Sequence, residues 1–487
     1  MTIHELEPQR VWRNFHSLTQ IPRPSGHTQK VADFLVKFGK DLGLESFKDE
    51  CGNVIIRKPA TKGMEDRKGI VLQAHMDMVP QKNNDKKHDF TKDPIETRVV
   101  EKADGPWLYA NGTTLGADDG LGVAAAMAVL EAKDLVHGPV EALFTVDEET
   151  RMVGAKALKP GVLKGEILLN LDSETEGELY VGCAGGLDAN VTMKFKEADM
   201  PKGFKAFKII VTGLRGGHSG MEINEGRGNA NKVMARVLLP ILRDNGGKLV
   251  SINGGNMRNA IPREAEAVVA VAADKVDVLK EVVAWTESTL KSELARIDPG
   301  VKILIEPAKA KKIIASNTGL KLVKALYACP SSVDRMSLEM EGLVDTSNNL
   351  AIVKTGEGVI TVNTLLRGAT DTLKNDLAEG VRAAFELAGA KVMFDGGYSG
   401  WSPNMESPIL KTMIEQYEKL YGQKPAVMAI HAGLECGIFG GAYPHWDMIS
   451  CGPTLKSPHS PDERCFIPSV EKWWNFIVAA LADAPKK

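Results

Sequence analysis

Four short apolar runs in this 487-residue chain each lead into a histidine or a carboxylate. Ile70-Val71-Leu72 runs into Ala74-His75-Met76-Asp77, Val140 to Val146 into Asp147-Glu148-Glu149, and Glu166 to Leu171 into Asp172. Met448 to Cys451 leads on to Pro458-His459-Ser460. A fifth group, Leu115-Gly116-Ala117-Asp118-Asp119-Gly120, stands just before an Ala-rich apolar segment, and its glycines permit a tight loop. Imidazole and carboxylate without thiolate suit zinc, cobalt or manganese. Asp118 has two carboxylate oxygens and could bridge two cations. Two such ions roughly 3.5–4 Å apart generate a hydroxide and stabilise the charge that develops in hydrolysis. His75 and Asp77 are two apart at a strand end, so they share a face, and Asp77 can accept the second ring N–H of His75. Of the adjacent Glu148 and Glu149, one can bind metal while the other takes a proton from the bound water.

Each piece alone has a plainer reading. A single His75 is more often a buried, hydrogen-bonded histidine. Asp118-Asp119-Gly120 reads as a helix N-cap, Glu148-Glu149 as a solvated pair, and Asp172-Ser173 as another cap. Their delivery by successive strand ends, where open α/β sheets bind ligands, favours a metal site. His88, His137 and His445 have no such company and read as ordinary surface or loop residues. Gly182-Cys183-Ala184-Gly185-Gly186 lacks the Lys-Ser/Thr of a phosphate loop and reads as a turn at a domain junction.

The elements that must position these groups follow from periodicity. Val31, Phe34, Leu35 and Phe38 recur at helical spacing within His27 to Leu44, and Leu121 to Leu130 is apolar on nearly all sides, as a buried helix would be. Apolar strands between such helices predict an α/β layer with helices on both faces. From about Asp188 to Tyr398 the texture changes to amphipathic strands and long amphipathic helices, such as Asn229 to Arg243 and Lys275 to Leu294. The first texture resumes after Trp401. The expected fold is therefore a mixed-sheet, three-layer α/β catalytic domain made of residues 1–187 and 400–487. An α+β domain, residues 188–399, is inserted into it. The length alone supports two domains.

Bulk properties exclude other classes. The net charge is −3 and no lysine- or arginine-rich run appears, so nothing draws the chain to nucleic acid. No secretory signal and no run of eighteen apolar residues is visible, so no membrane association is expected. Cys51, Cys183, Cys329, Cys436, Cys451 and Cys465 form no CxxC pair. Reduced thiols in a cytoplasm fit them best.

Gln73-Ala74-His75-Met76-Asp77-Met78-Val79-Pro80 and Gly112-Thr113-Thr114-Leu115-Gly116-Ala117-Asp118-Asp119-Gly120 resemble the first two metal motifs of the di-zinc exopeptidases that include carnosinases, aminoacylases and carboxypeptidase G. Asp147-Glu148-Glu149 and Asp172-Ser173-Glu174 are similar to the next two. Within that family the chain looks most like the bacterial aminoacyl-histidine (Xaa-His) dipeptidases. That likeness rests on Val79-Pro80-Gln81-Lys82-Asn83-Asn84, on His431-Ala432-Gly433-Leu434-Glu435-Cys436-Gly437, and on Gly452-Pro453-Thr454 through Pro458-His459-Ser460-Pro461-Asp462-Glu463.

The resemblance implies two divalent ions, zinc first, with cobalt or manganese as alternatives. His75 and Asp172 would hold one, Glu149 and His459 the other, and Asp118 would bridge them. Asp77 would orient His75, and Glu148 would be the general base. The Asp118–Asp119 peptide would be cis. The inserted domain would be a lid carrying His218, within Gly216-Gly217-His218-Ser219-Gly220, to polarise the scissile carbonyl, often from the partner subunit of a homodimer. Asn259 and Arg367 resemble groups that hold the substrate's C-terminal carboxylate, a task that suits arginine. Glu435 would bind the substrate's free amine. The chain departs from many relatives in carrying Asp119 where they have Asn.

The expected activity is that of a metal-dependent dipeptidase acting on Xaa-His and other short unblocked dipeptides, with a small peptide as its partner. The rivals are an aminotripeptidase, an N-acyl amino acid deacylase or carboxypeptidase of the same chemistry, and a non-catalytic peptide-binding protein. A nucleotide-binding oxidoreductase is more distant, because no dinucleotide fingerprint follows a strand.

Overall fold

The apolar runs that lead to candidate ligands lie side by side. In a computed structural model, which describes residues 2–487, the strands Val140–Thr145, Ile70–His75, Ile167–Asn170 and Asp447–Ser450 are consecutive neighbours in an eight-stranded sheet. They pair in parallel. The first three are buried along their whole length, which is why their sequences are continuous apolar runs rather than alternating ones. Flanking strands Glu45–Lys48 and Val54–Lys58 join antiparallel on one side, and Glu178–Cys183 and Ala426–Ile430 complete the other side of the sheet. The helix Ala117–Glu131 packs on the Ile70 strand and against the helix Gln9–Thr19. Its small residues permit that closeness: a Cβ on Gly120 would collide with the Arg23 guanidinium.

A second, four-stranded sheet has the order Leu455–Lys456, Arg464–Phe466, Gly105–Ala110, Thr97–Lys102. The first two strands form a hairpin whose loop carries His459, and Arg464–Phe466 is laddered to Gly105–Ala110. That ladder brings the His459 loop beside the segment that runs from Ala110 to Asp118.

Among the described residues the chain divides into two compact units. One comprises the segment ending at Gly182 together with Pro403–Ala429 and Leu434–Lys487; the other is Cys183–Ser402 with Ile430–Gly433. The second unit is built on a nine-stranded antiparallel sheet. Its helices Ala230–Arg243, Val276–Glu293, Ser316–Ala328 and Asp371–Glu386 pack on the strands and on one another. Leu238, Ile252, Val269, Leu326, Leu350, Val362 and Phe385 are among the buried residues of its core. The two halves of this unit, similar in texture as sequence, meet in one sheet where Asn253 and Gly254 pair with Lys354 and Val353.

One histidine departs from its expected setting. His137 does lie in a connecting segment, but it is fully buried, with Nδ1 2.7 Å from the Gly138 carbonyl.

Candidate metal centre and anion-binding groups

Parallel register decides which side chains meet at the carboxyl edge of the catalytic sheet. His75 stands opposite Thr145, Gln73 opposite both Leu143 and Asn170, and Ser450 beside Asn170. His75 Nε2 lies 3.0 Å from Asp118 Oδ1 and 3.4 Å from Asp172 Oδ1. On the other side of Asp118, His459 Nε2 lies 3.2 Å from Oδ2 and 3.0 Å from Glu149 Oε2. Asp118 thus gives one oxygen to each of two triads, His75–Asp118–Asp172 and Asp118–Glu149–His459, whose donor atoms converge. Glu148 converges with His75 and Glu149 in a third group. The Asp118–Asp119 peptide is cis, as the resemblance implies.

These residues fit a pair of cations on two grounds. Donor atoms at about 2.0–2.1 Å around a tetrahedral ion stand roughly 3.3 Å from each other, and the pairs above are separated by 3.0–3.4 Å. Charge points the same way. Asp77, Asp118, Glu148, Glu149 and Asp172 face only two imidazoles, so all five can be ionised together only if cations join the two rings. Glu149 Oε1 is also buried without a hydrogen-bond partner, as a metal-facing oxygen would be.

The field of the cluster shifts the proton affinities of its members. Hydrogen bonds to Asp118 and Glu149 push His459 up to about 11. Burial opposes charge on His75, but Asp172, Asp118 and Asp77 outweigh it and hold the imidazole well above its ordinary value. Burial drives the Glu148 carboxyl well above the usual range, with His75 opposing.

Neighbouring groups hold the ligands in place. Asp77 Oδ1 is 3.4 Å from His75 Nδ1. The same carboxylate accepts from Ser25 Oγ (2.7 Å) and from the backbone N–H groups of Glu148 (3.1 Å) and Glu149 (3.4 Å), so it orients the glutamate turn as well as the histidine. Asp119 turns inward, accepting from the His75 N–H (3.2 Å) and the Gly122 N–H (3.1 Å). That placement makes it a backbone anchor, while Asp118 faces the two triads.

Glu435 is fully buried beneath the sheet edge. Its Oε2 accepts from Gln73 Nε2 (2.6 Å) and Thr145 Oγ1 (2.9 Å), while Oε1 has no partner. Gln73 Oε1 accepts from Asn170, whose Oδ1 accepts from Ser450 Oγ, and Ser450 meets Ser173 at 2.6 Å. One polar chain therefore crosses four strands directly under the ligands. A separate cavity of about 510 Å³, lined by Arg57, Lys58, Ile70, Val140 and Glu166 at the strands' opposite ends, holds none of these groups.

In the second unit, His218 sits in a turn and pairs with Ala260 across a two-residue ladder. A Cβ on Gly220 would strike the His431 carbonyl, so this glycine is needed to seat the turn. His218 Nδ1 accepts from the N–H groups of Gly220 (3.2 Å) and Met221 (3.0 Å). The neutral ring therefore carries its proton on Nε2. Nε2 lies 3.5 Å from Arg367 Nη2, another donor, so two donors converge where an anionic oxygen would satisfy both. Arg367 is 5 % exposed and touches Ser219 Oγ at 3.4 Å. Asn259 is exposed, and its backbone carbonyl accepts from the Ser219 N–H (2.8 Å), which holds it next to the His218 turn.

His431 was singled out by the sequence only as part of a motif. Here it is buried, shares a 2.7 Å hydrogen bond with Ser347 Oγ, and is pushed down to about 3 by burial and by Arg367. As pH falls below about 6.5, the unfolded chain protonates this ring and the folded chain does not, so its contribution to stability is lost between about 6.5 and 3. The slope is at most about 1.4 kcal/mol per pH unit. His431→Gln is therefore expected to lose less stability than wild type between pH 7 and pH 5 in chemical denaturation, and identical pH sensitivity would count against it.

A buried α/β sheet edge carrying two triads of metal-binding side chains on a shared carboxylate has the geometry of a candidate hydrolase metal centre. The chain belongs to peptidase family M20/M25/M40, whose family model matches residues 71–483. It is 44 % identical over 486 residues to the cytosol non-specific dipeptidase of Escherichia coli K12, covering 100 % of this chain and 99 % of that one. It superposes on the crystal structure of aminoacylhistidine dipeptidase from Vibrio alginolyticus with a TM-score of 0.95 and 45 % identity, covering 100 % and 99 % of the two chains. An aminopeptidase from Bacillus cereus shares the fold at a TM-score of 0.56 and 18 % identity, covering 98 % and 99 %. Among the described residues, no helix is long and apolar enough to cross a membrane.

Proposed function

We propose that this peptidase is a dipeptidase of Xaa-His and other short unblocked dipeptides, working with two divalent ions, zinc foremost. The observation that carries this reading is Asp118, one oxygen toward each triad, with Glu148 converging on the same ligands. The full-length relatives named as dipeptidases support the substrate class over a tripeptidase, a deacylase or a binding protein. His75 and Asp172 would hold one ion, Glu149 and His459 the other. Bound there, the ions would supply Lewis acidity at the scissile carbonyl and acidify the attacking water toward a pKa of about 7.

Glu148 takes the proton from that water and returns it to the leaving amine. Asp77 keeps His75 and the Glu148–Glu149 turn aligned throughout. In the second unit, the lid of this reading, the His218 Nε2–H donates to the developing oxyanion, and Arg367 with Asn259 receives the C-terminal carboxylate. Glu435 presents Oε1 for the amine end. The active form is a homodimer in the cytoplasm, where reduced thiols persist; the six cysteines form no disulfide among the described residues.

A substrate panel with a chelator tests this. Ala-His and other free dipeptides should be cleaved, while tripeptides and acetylated amino acids are not. EDTA should abolish hydrolysis, and zinc or cobalt should restore it. Hydrolysis that survives exhaustive chelation, or turnover confined to acylated amino acids, overturns the reading.

A further inference from the structure

Glu463 lies four residues beyond His459 on the hairpin loop, and it is 2 % exposed. Its carboxylate hydrogen-bonds to backbone alone. Oε2 accepts from the N–H groups of Leu115 (2.7 Å) and Gly116 (3.0 Å), and Oε1 from those of Ala117 (2.8 Å) and Asp118 (3.2 Å). Four consecutive amides of the segment that ends in Asp118 thus converge on one side chain. The opposite polarity of the same segment is held by Arg23, also 2 % exposed. Arg23 Nη2 donates to the Gly116 carbonyl (2.5 Å), and Nη1 donates to the carbonyls of Met76 (3.1 Å) and Asp77 (2.8 Å). Glycine is required at 116 on two counts: φ is +68°, and a Cβ there would lie 2.8 Å from both Arg23 Nη2 and Met78 Sδ.

We propose that Glu463 and Arg23 are positioning residues that lock three ligand-bearing segments, those of His75, Asp118 and His459, into one frame and so set the affinity of the metal pair. The proposal rests on the two-metal reading above. Neither residue supplies a ligand. Glu463 fixes where both oxygens of Asp118 stand relative to His459, because one short loop carries His459 and the side chain that grips the Asp118 backbone. Arg23 ties the same segment to the two residues that follow His75. A side chain bonded only to neutral peptide groups tolerates little chemical change. In Glu463→Gln, one of the two oxygens becomes an NH2 group facing two N–H donors, so half of the grip becomes repulsive.

The test is zinc affinity of the purified full-length protein by competition with a chromogenic chelator, alongside the visible absorption spectrum of the cobalt-loaded form. E463Q, folded by circular dichroism, should bind metal at least tenfold more weakly than wild type and show an altered cobalt spectrum. Its KM for Ala-His at saturating metal should stay within twofold. Arg23→Lys, which keeps the charge and loses the fork that reaches three carbonyls, should weaken metal in the same direction, and it carries the test if E463Q does not fold. Val470→Ala, a buried change in the helix Ile467–Ala482, serves as a control: it should lower the thermal midpoint and leave affinity and spectrum unchanged. Wild-type affinity and spectrum in folded E463Q, or in folded R23K where E463Q does not fold, overturn the proposal. Failure of wild-type protein to bind zinc or cobalt overturns instead the two-metal reading on which it stands.

Discussion

Glu148→Gln is expected to keep the protein folded and its metal bound while lowering kcat by roughly 10²–10⁴-fold, the usual contribution of a positioned general base. Glu148 shares a turn with Glu149, and Asp77 accepts from the backbone N–H groups of both, so the turn does not depend on the Glu148 carboxyl. An amide of the same shape therefore leaves Glu149 and His459 where they are. What is lost is the acceptor that receives a proton. KM should change little, because the deficit lies in a step after binding. Metal content by atomic emission, measured beside kcat, separates this result from loss of the centre. Activity within tenfold of wild type would remove Glu148 from the role of base.

Asp118→Ala should have the larger structural consequence. One side chain stands in both triads, 3.0 Å from His75 and 3.2 Å from His459. Its removal leaves each triad with one imidazole and one carboxylate, too few donors for a tetrahedral ion in a protein site. Both ions should be lost together and hydrolysis with them. His459→Ala should behave differently, since the side of His75, Asp118 and Asp172 remains whole. The ratio of bound metal to protein is the measurement: near zero for Asp118→Ala, and about one for His459→Ala. Two tightly held ions in Asp118→Ala would show that Asp118 is not the bridge.

Glu148 and Asp118 were legible in the sequence because one follows a strand and the other opens a helix with a clear apolar pattern. A buried parallel strand is dominated by apolar positions up to its carboxyl end, so His75 and Asp172 stand out at the point where the apolar run stops. Helix and strand positions were legible from the same kind of pattern: Val140 to Val146 and Asn229 to Arg243 as sequence became Val140–Thr145 and Ala230–Arg243. Glu463 and Arg23 were not. Their partners are backbone amides and carbonyls, which every residue carries, so nothing in the composition of the partner segment marks the contact. Glu435 shows a second limit. The resemblance implies that it meets an amine, but nothing in the sequence shows that parallel register puts Gln73 and Thr145 against it and buries it beneath the sheet edge, with one oxygen still without a partner. His137 shows a third, because a polar residue between elements gives no sign that its loop folds inward.

The spacing of the site along the chain has a consequence for how the protein comes into being. His75, Asp118, Glu149 and Asp172 are all translated before the second unit begins, yet His459 follows Asp118 by 341 residues. At roughly 5–20 residues per second, that interval is on the order of tens of seconds. Throughout it, the nascent chain exposes four acidic or imidazole ligands with neither the second histidine nor the glutamate that grips the Asp118 segment. A ribosome-bound chain that has not yet reached His459 therefore lacks one side of the proposed metal pair, and that pair can be completed only after the whole second unit has been made.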